Sequence, residues 1–278
     1  MKISVICASR GRPISLIGAI KNLDMLESQQ HEVAYGIVID EDDVPSRQAA
    51  ELLQSDLERE VRIFNAPRDI VARKVNAAAR EMEAELYLPY ADDCYCLTPN
   101  WDVMCERIAS KVPAFSWTEF NDPQNVTMLT LTHKWVETVG YVLSEYFPFW
   151  MADTWIQEQY AFATAQPIGL VRQLVFSGRR GKTKQLNDVR FWFEFFAAKR
   201  SERIEEARKL RKALGFEHVN DDSLKGFIDA FEMRDKSQIE NSANYEEWFA
   251  SGEPKSVAYM EALDFAQRFM ENRKLEAA

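Results

Sequence analysis

Residues 2–13 read KISVICASRGRP: an apolar run over Ile3–Ala8, a polar arginine-rich turn at Ser9-Arg10-Gly11-Arg12, and then Pro13. The run is β-type, and the stretch after Pro13 is helical. Ile14, Ile17, Ile20 and Leu23 recur at three-residue spacing, with Leu16 and Leu26 beside them. Pro13 suits a first helical position, because the N–H it lacks would be unpaired there. A strand that feeds a helix through a tight polar turn is the opening unit of an α/β sheet.

The same unit repeats downstream. Val33–Ile39 is a second β-type run and ends in Asp40-Glu41-Asp42-Asp43. A helix is predicted over Ser46–Leu57, a strand over Val61–Phe64, and an amphipathic helix on Val71, Val75, Ala78 and Met82. Leu86–Tyr90 is a fourth strand, ending at Asp92-Asp93. This alternation predicts an α/β fold with a mostly parallel sheet flanked by helices. Ligands of such sheets sit beyond the carboxyl ends of the strands. The polar clusters Ser9–Arg12, Asp40–Asp43, Asn65–Arg68 and Asp92–Asp93 all fall at that edge.

Beyond Asn100 the pattern is mixed. Val112–Trp117 and Val126–Thr132 read as strands, His133–Val139 as a short helix, Ala152–Ala165 as a helix and Ile168–Phe176 as a strand. A basic loop comes next, with Arg179, Arg180, Lys182 and Lys184, and from Leu186 the chain is helical. The aromatic run Phe191–Phe196 gives way to charged helix near Lys199, which suggests a domain over 1–198 and a helical extension over 199–278. Arg200, Arg203, Arg208, Arg211 and Lys212 form either a basic docking stripe or the solvated outside of a helix.

Composition bounds the function. The chain has 278 residues, 46% hydrophobic, with a net charge of −10. A packed core is within reach, and a non-specific nucleic-acid coat is disfavoured. No apolar run is long enough to span a bilayer, and the N-terminal run is too short for a secretion signal. Four cysteines do not make a disulfide scaffold. A cytoplasmic protein is expected. His31, His133 and His218 lack ligand spacing, and Cys94, Cys96 and Cys105 lack the spacing of a zinc site.

Asp92 and Asp93 are either hard oxygen ligands for Mg²⁺ or Mn²⁺ or a solvated turn. Asp40 either accepts hydrogen bonds from a nucleobase or ribose, or belongs to a solvated acidic loop. The basic loop containing Arg179 and Lys182 is a lid over a diphosphate, a contact for nucleic-acid phosphates, or a solvated segment.

Taken in order, these motifs resemble the family-2-like glycosyltransferases of the GT-A fold, over roughly residues 1–195. The resemblance implies that Ala8, Ser9, Arg10 and Arg12 line a nucleotide and that Asp40 contacts its base. Asn65 and the stretch holding Arg68 and Arg73 would face the nucleotide-sugar. Ala91-Asp92-Asp93 aligns with the family's Asp-x-Asp, which makes Asp93 the main ligand of Mn²⁺ or Mg²⁺, with Asp92 assisting or facing the ribose. Asp153 matches the catalytic base of inverting members. The chain departs from the pattern at Ala91, at Ala152, and at Phe176-Ser177-Gly178, where many members supply a histidine to the metal. Water could replace the missing ligand, or metal dependence could be weak or absent.

The implied donor is a nucleotide-diphosphate sugar, UDP-linked by default. The acceptor is open among a hydroxymethylated DNA base, as for a virus-encoded enzyme in host cytoplasm, a saccharide, a lipid-linked sugar and a protein. A sugar-phosphate nucleotidyltransferase and a non-catalytic nucleotide-sugar-binding module are the rival readings.

Overall fold

The computed structural model describes residues 1–119, 126, 128–148, 151–176, 189–243 and 257–276. The chain divides into two compact units, Met1–Ser144 with Ile168–Arg180, and Glu145–Pro167 with Gly181–Ala278.

In the first unit, strands β1 (Lys2–Ser9), β2 (Glu32–Asp40), β3 (Glu60–Ala66) and β4 (Leu86–Tyr90) alternate with helices α1 (Pro13–Leu26), α2 (Val44–Asp56) and α3 (Val71–Glu81). Then come β5 (Cys94–Cys96), α4 (Trp101–Ala109), β6 (Ala114–Glu119), β7 (Met128–Thr132), α5 (His133–Val139) and β8 (Gly169–Phe176). The eight strands form one sheet in the order β3-β2-β1-β4-β7-β6-β8-β5. The half β3-β2-β1-β4 is parallel throughout, as alternating strands and helices require. The other half is mixed: β7 runs antiparallel to β4 and β6, and β5 antiparallel to β8, whereas β6 and β8 are parallel.

Strand β1 is central and covered on both faces, so Ile3, Val5, Ile6 and Cys7 are all fully buried. Helix α1 presents Leu16, Ala19, Ile20 and Leu23 to this core. Each leucine or isoleucine buried there contributes on the order of 1.5–3 kcal/mol.

Strand β4 contains Pro89, a residue that a fully paired central strand excludes. Pairing with β1 runs the length of β4, from Ile3↔Leu86 to Cys7↔Tyr90. Pairing with β7 covers Leu86 and Tyr87 only, so the proline lies where the ladder on that side has ended. Past it, the amide of Ala91 donates to the Met128 thioether sulfur at 3.3 Å. The carboxyl end of β4 therefore meets a gap in the sheet, where Asp92 and Asp93 emerge.

The second unit is helical, with α6 (Ala152–Thr164), α7 (Val189–Ala198), α8 (Arg200–Leu214), α9 (Asp221–Glu240) and α10 (Val257–Glu276). Its core is aromatic: Phe147 packs against Trp155, Trp192, Phe195 and Phe196 at centroid separations of 5.6–6.2 Å. Helices α6 and α7 thus group with the C-terminal helices rather than with the sheet. Lys199, where the charge pattern changes, is buried within this unit; its ammonium lies 3.8 Å from the Phe269 ring centroid and 2.6 Å from a Glu202 oxygen.

The basic residues of α8 do not form one surface stripe: Arg208 and Lys212 are exposed, whereas Arg203 and Arg211 are buried. Arg203 is fully buried, donating to Glu158 at 2.5 Å and to the Phe196 carbonyl at 2.7 Å. Arg211 is buried as well and donates to the carbonyls of Phe162 and Val219. Among the described residues, no helix is long and apolar enough to cross a membrane.

Candidate active site

Three strand ends and one turn build the site. The turn joins β1 to α1, and its Gly11 adopts φ +67°, a left-handed conformation that costs a glycine little. That bend lets the flanking arginines serve different acids: Arg10 meets the end of β2, and Arg12 meets the end of β4.

At β2, one Arg10 nitrogen donates to Asp40 at 2.8 Å and the other to Asp42 at 2.9 Å. Arg10 holds the exposed Asp42 carboxyl down at about 2. The remaining Asp40 oxygen is paired with the Lys74 ammonium from α3. Asp40 is fully buried, with both oxygens engaged by these cations. Asp43 caps α2, accepting from the Ser46 amide, and also accepts from the Gly11 amide at 2.6 Å. Burial opposes ionisation of Asp43, but these hydrogen bonds prevail and hold its carboxyl below the usual range.

At β4, the Ser9 hydroxyl donates to Asp92 Oδ2 at 2.6 Å. A single Arg12 nitrogen, Nη1, reaches Asp92 Oδ1 at 3.0 Å and Asp93 Oδ2 at 2.9 Å. Burial pushes the Asp92 carboxyl above its ordinary value in spite of the Ser9 and Arg12 contacts.

The structure therefore brings together Ser9, Arg10, Arg12, Asp40, Asp92 and Asp93 on the carboxyl edge of the parallel half. Ala8 precedes them at the end of β1 and pairs in register with Val38. Asn65 is exposed at the end of β3, beside Ile39 in register. Arg68 is exposed, and its charge helps lower the Asp42 carboxyl. Arg73 is half-buried on α3, 3.5 Å from Asp69. Arg179 and Lys182 lie outside the described residues.

Asp153 belongs to the other unit, in the first turn of α6. Its carboxylate accepts from the Thr154 amide at 2.7 Å, and burial raises its carboxyl above the ordinary value.

Sequence reasoning singled out neither Lys74 nor Asp43, although Asp43 lies in the acidic run Asp40–Asp43. Lys74 falls on the apolar stripe of α3 beside Val75 and Ala78, and a charge placed there needs a buried partner. Asp43 precedes the Val44-Pro45 start of α2, which is the signature of an N-cap.

Asp92 and Asp93 offer adjacent oxygen donors. Among the described residues no group of three or more His, Cys, Asp or Glu side chains converges as a metal cage. Mg²⁺ and related ions at phosphate sites typically use only one or two carboxylates, the rest of the shell being water and substrate oxygen. Arg12 Nη1 already holds positive charge against both carboxylates, so the pair fits a cation in charge and in donor chemistry.

No family model matches the chain, and neither does any curated protein sequence. Solved structures do share its fold. A mannosyltransferase from Pyrobaculum calidifontis, in complex with GDP-Man and Mn²⁺, superposes with a TM-score of 0.57 at 10% identity, over 96% of this chain and 79% of the other. TarS from S. aureus in complex with UDP-GlcNAc gives 0.56 at 12% identity, over 93% of this chain and 95% of the other. TarS in complex with UDP gives 0.55 at 13% identity, over 81% and 75%. The fold is that of the GT-A glycosyltransferases.

Proposed function

We propose that the chain is a glycosyltransferase that takes a sugar from a nucleotide-diphosphate donor and passes it to a hydroxyl acceptor. The observation that carries this reading is the Asp92–Asp93 pair, delivered at the sheet gap and joined by Arg12 to the β1–α1 turn. The bond that breaks lies between sugar carbon and phosphate oxygen, so negative charge grows on the diphosphate. Arg10 and Arg12 are the cations that turn supplies to neutralise it, and Asp40 with Lys74 fixes Arg10. In this reading Asp92 faces the ribose. Asp93, with Asp92 assisting, would hold Mn²⁺ or Mg²⁺, which when bound supplies Lewis-acid stabilisation of the leaving group. Asp153 accepts the proton of the attacking hydroxyl. Its raised carboxyl pKa moves it toward the working pH of a general base.

UDP-GlcNAc and GDP-mannose are the first donors to test, because structures of this fold hold them. UDP is the default donor nucleotide, carried by the family resemblance alone. A hydroxymethylated DNA base, a saccharide and a lipid-linked sugar are the acceptor classes to screen.

Two results are expected. Titration calorimetry with a panel of nucleotide-sugars plus Mn²⁺ should show one selective donor. Asp153→Asn should keep that affinity while turnover falls by about 10²–10⁴-fold. Unchanged turnover in the variant removes Asp153 from the chemistry, and binding without turnover in the unaltered protein supports a non-catalytic binding module instead.

A further inference from the structure

The Arg12 contact bears on how cation and donor bind. Arg12 Nη1 lies within hydrogen-bonding distance of both Asp92 and Asp93, at 3.0 and 2.9 Å, in a region where Asp92 is buried and Asp93 only partly exposed. Two adjacent carboxylates withdrawn from water need a positive partner, and here that partner is built into the chain. A divalent ion held by the same two carboxylates would compete with the guanidinium for them, because two cations at that range repel one another.

We infer that Arg12 is the resident counter-ion of the Asp92–Asp93 pair and exchanges with the divalent ion: the incoming ion displaces the guanidinium, which turns onto the donor diphosphate. The inference rests on the glycosyl-transfer reading for its second half only. Its first half concerns the metal and the carboxylates alone.

The turn is built for such a movement. Arg12 is the N-cap residue of α1 and comes directly after Gly11, whose left-handed bend lets the backbone turn here. Gly11 is itself anchored through its amide to Asp43, and Arg10 to Asp40 and Asp42, so the turn stays fixed while one side chain swings. The destination suits the group, since a guanidinium fork matches phosphate oxygens in charge and geometry.

Metal and nucleotide then help each other. The ion alone must displace Arg12 from both carboxylates, which lowers its affinity. With a diphosphate present the evicted arginine gains a partner, and each ligand tightens the other by the same factor.

The test uses the full chain and Mn²⁺ alone, with bound ion counted from the loss of the free-ion electron paramagnetic resonance signal. Arg12→Gln should bind Mn²⁺ at least about ten-fold more tightly than the unaltered protein, and Arg12→Lys should fall between them. Asp93→Asn should abolish binding in either background. Calorimetry with UDP, and with GDP if UDP does not bind, then reads the coupling. Mn²⁺ should tighten nucleotide binding in the unaltered protein, and most of that enhancement should vanish in Arg12→Gln.

Equal or weaker Mn²⁺ binding in both Arg12 variants, with circular dichroism showing them folded, overturns the exchange. Should Arg12→Gln fail to fold, the Arg12→Lys arm decides alone. Tighter Mn²⁺ in the variants with no nucleotide bound by any protein upholds the counter-ion role and overturns the glycosyl-transfer reading. Nucleotide binding with unchanged Mn²⁺ affinity does the reverse.

Discussion

Asp40 carries two cations on one buried carboxylate, Arg10 on one oxygen and Lys74 on the other. Removing its charge strands a lysine whose side chain is itself only 7% exposed. Breaking a buried pair in this way typically costs about 3–5 kcal/mol. Asp40→Asn should therefore lower the stability read from urea unfolding by that amount, and a loss below about 1 kcal/mol would mean that Lys74 finds solvent. Glu27 gives a second reading at this scale. Burial lifts its carboxyl from 4.5 to about 7, outweighing the attraction of Arg59. Between those values the folded chain binds more protons than the unfolded one, so stability falls as pH rises through that window. Thermal melts across the window from 4.5 to about 7 should show the decline, and Glu27→Gln should flatten it. The strand-end acids Asp40, Asp92 and Asp93 were legible in the sequence, because a carboxylate straight after an apolar run has one plausible location. Their partners were not: a hydrogen bond such as Ser9 to Asp92 joins residues 83 positions apart.

The elements of the parallel half were legible because each announces itself by period and by its stop. Two elements were not. Strand β5 is three residues long, and helix α4 opens at Asn100 in a left-handed conformation without a side-chain cap. Neither offers a pattern; both are held by tertiary packing, α4 through Trp101, whose indole donates to the Leu23 carbonyl at 2.9 Å. Strand β5 matters to the site because it begins one residue after Asp93. Its Tyr95 hydroxyl lies against Gly18 of α1, where an added Cβ would fall well inside van der Waals contact. Gly18→Ala should push on Tyr95, cost about 1–3 kcal/mol and weaken Mn²⁺ and nucleotide binding together. Tyr95→Phe in the same chain should recover part of both, and a Gly18→Ala variant that binds as before would show that β5 does not position the acids.

At the scale of the whole molecule, each unit has its own core and its own buried ionic centre. In the helical unit that centre is Glu158, which is fully buried and shared by Arg203 and Arg234. Glu158→Gln should destabilise this unit by about 3–5 kcal/mol and split the calorimetric transition in two. A single transition at the original temperature would show that the pair contributes nothing. The division of the chain was harder to read than its strands. The change of composition near Lys199 is real in the sequence, but the aromatic helix before it packs with Trp155 and Phe147, and no local pattern reports which core an aromatic run joins.

The sulfur that accepts the Ala91 amide ties the acidic turn to an oxidisable group that burial shields in the folded chain. Ala91, Asp92 and Asp93 are themselves inert to oxidants, yet the peptide that carries these residues is tethered to a thioether, which peroxide converts to a bulkier, polar sulfoxide. Once opening of the chain lifts that shield, the turn thus acquires a vulnerability from a neighbouring strand, and Met128→Leu would trade the tether for chemical resilience.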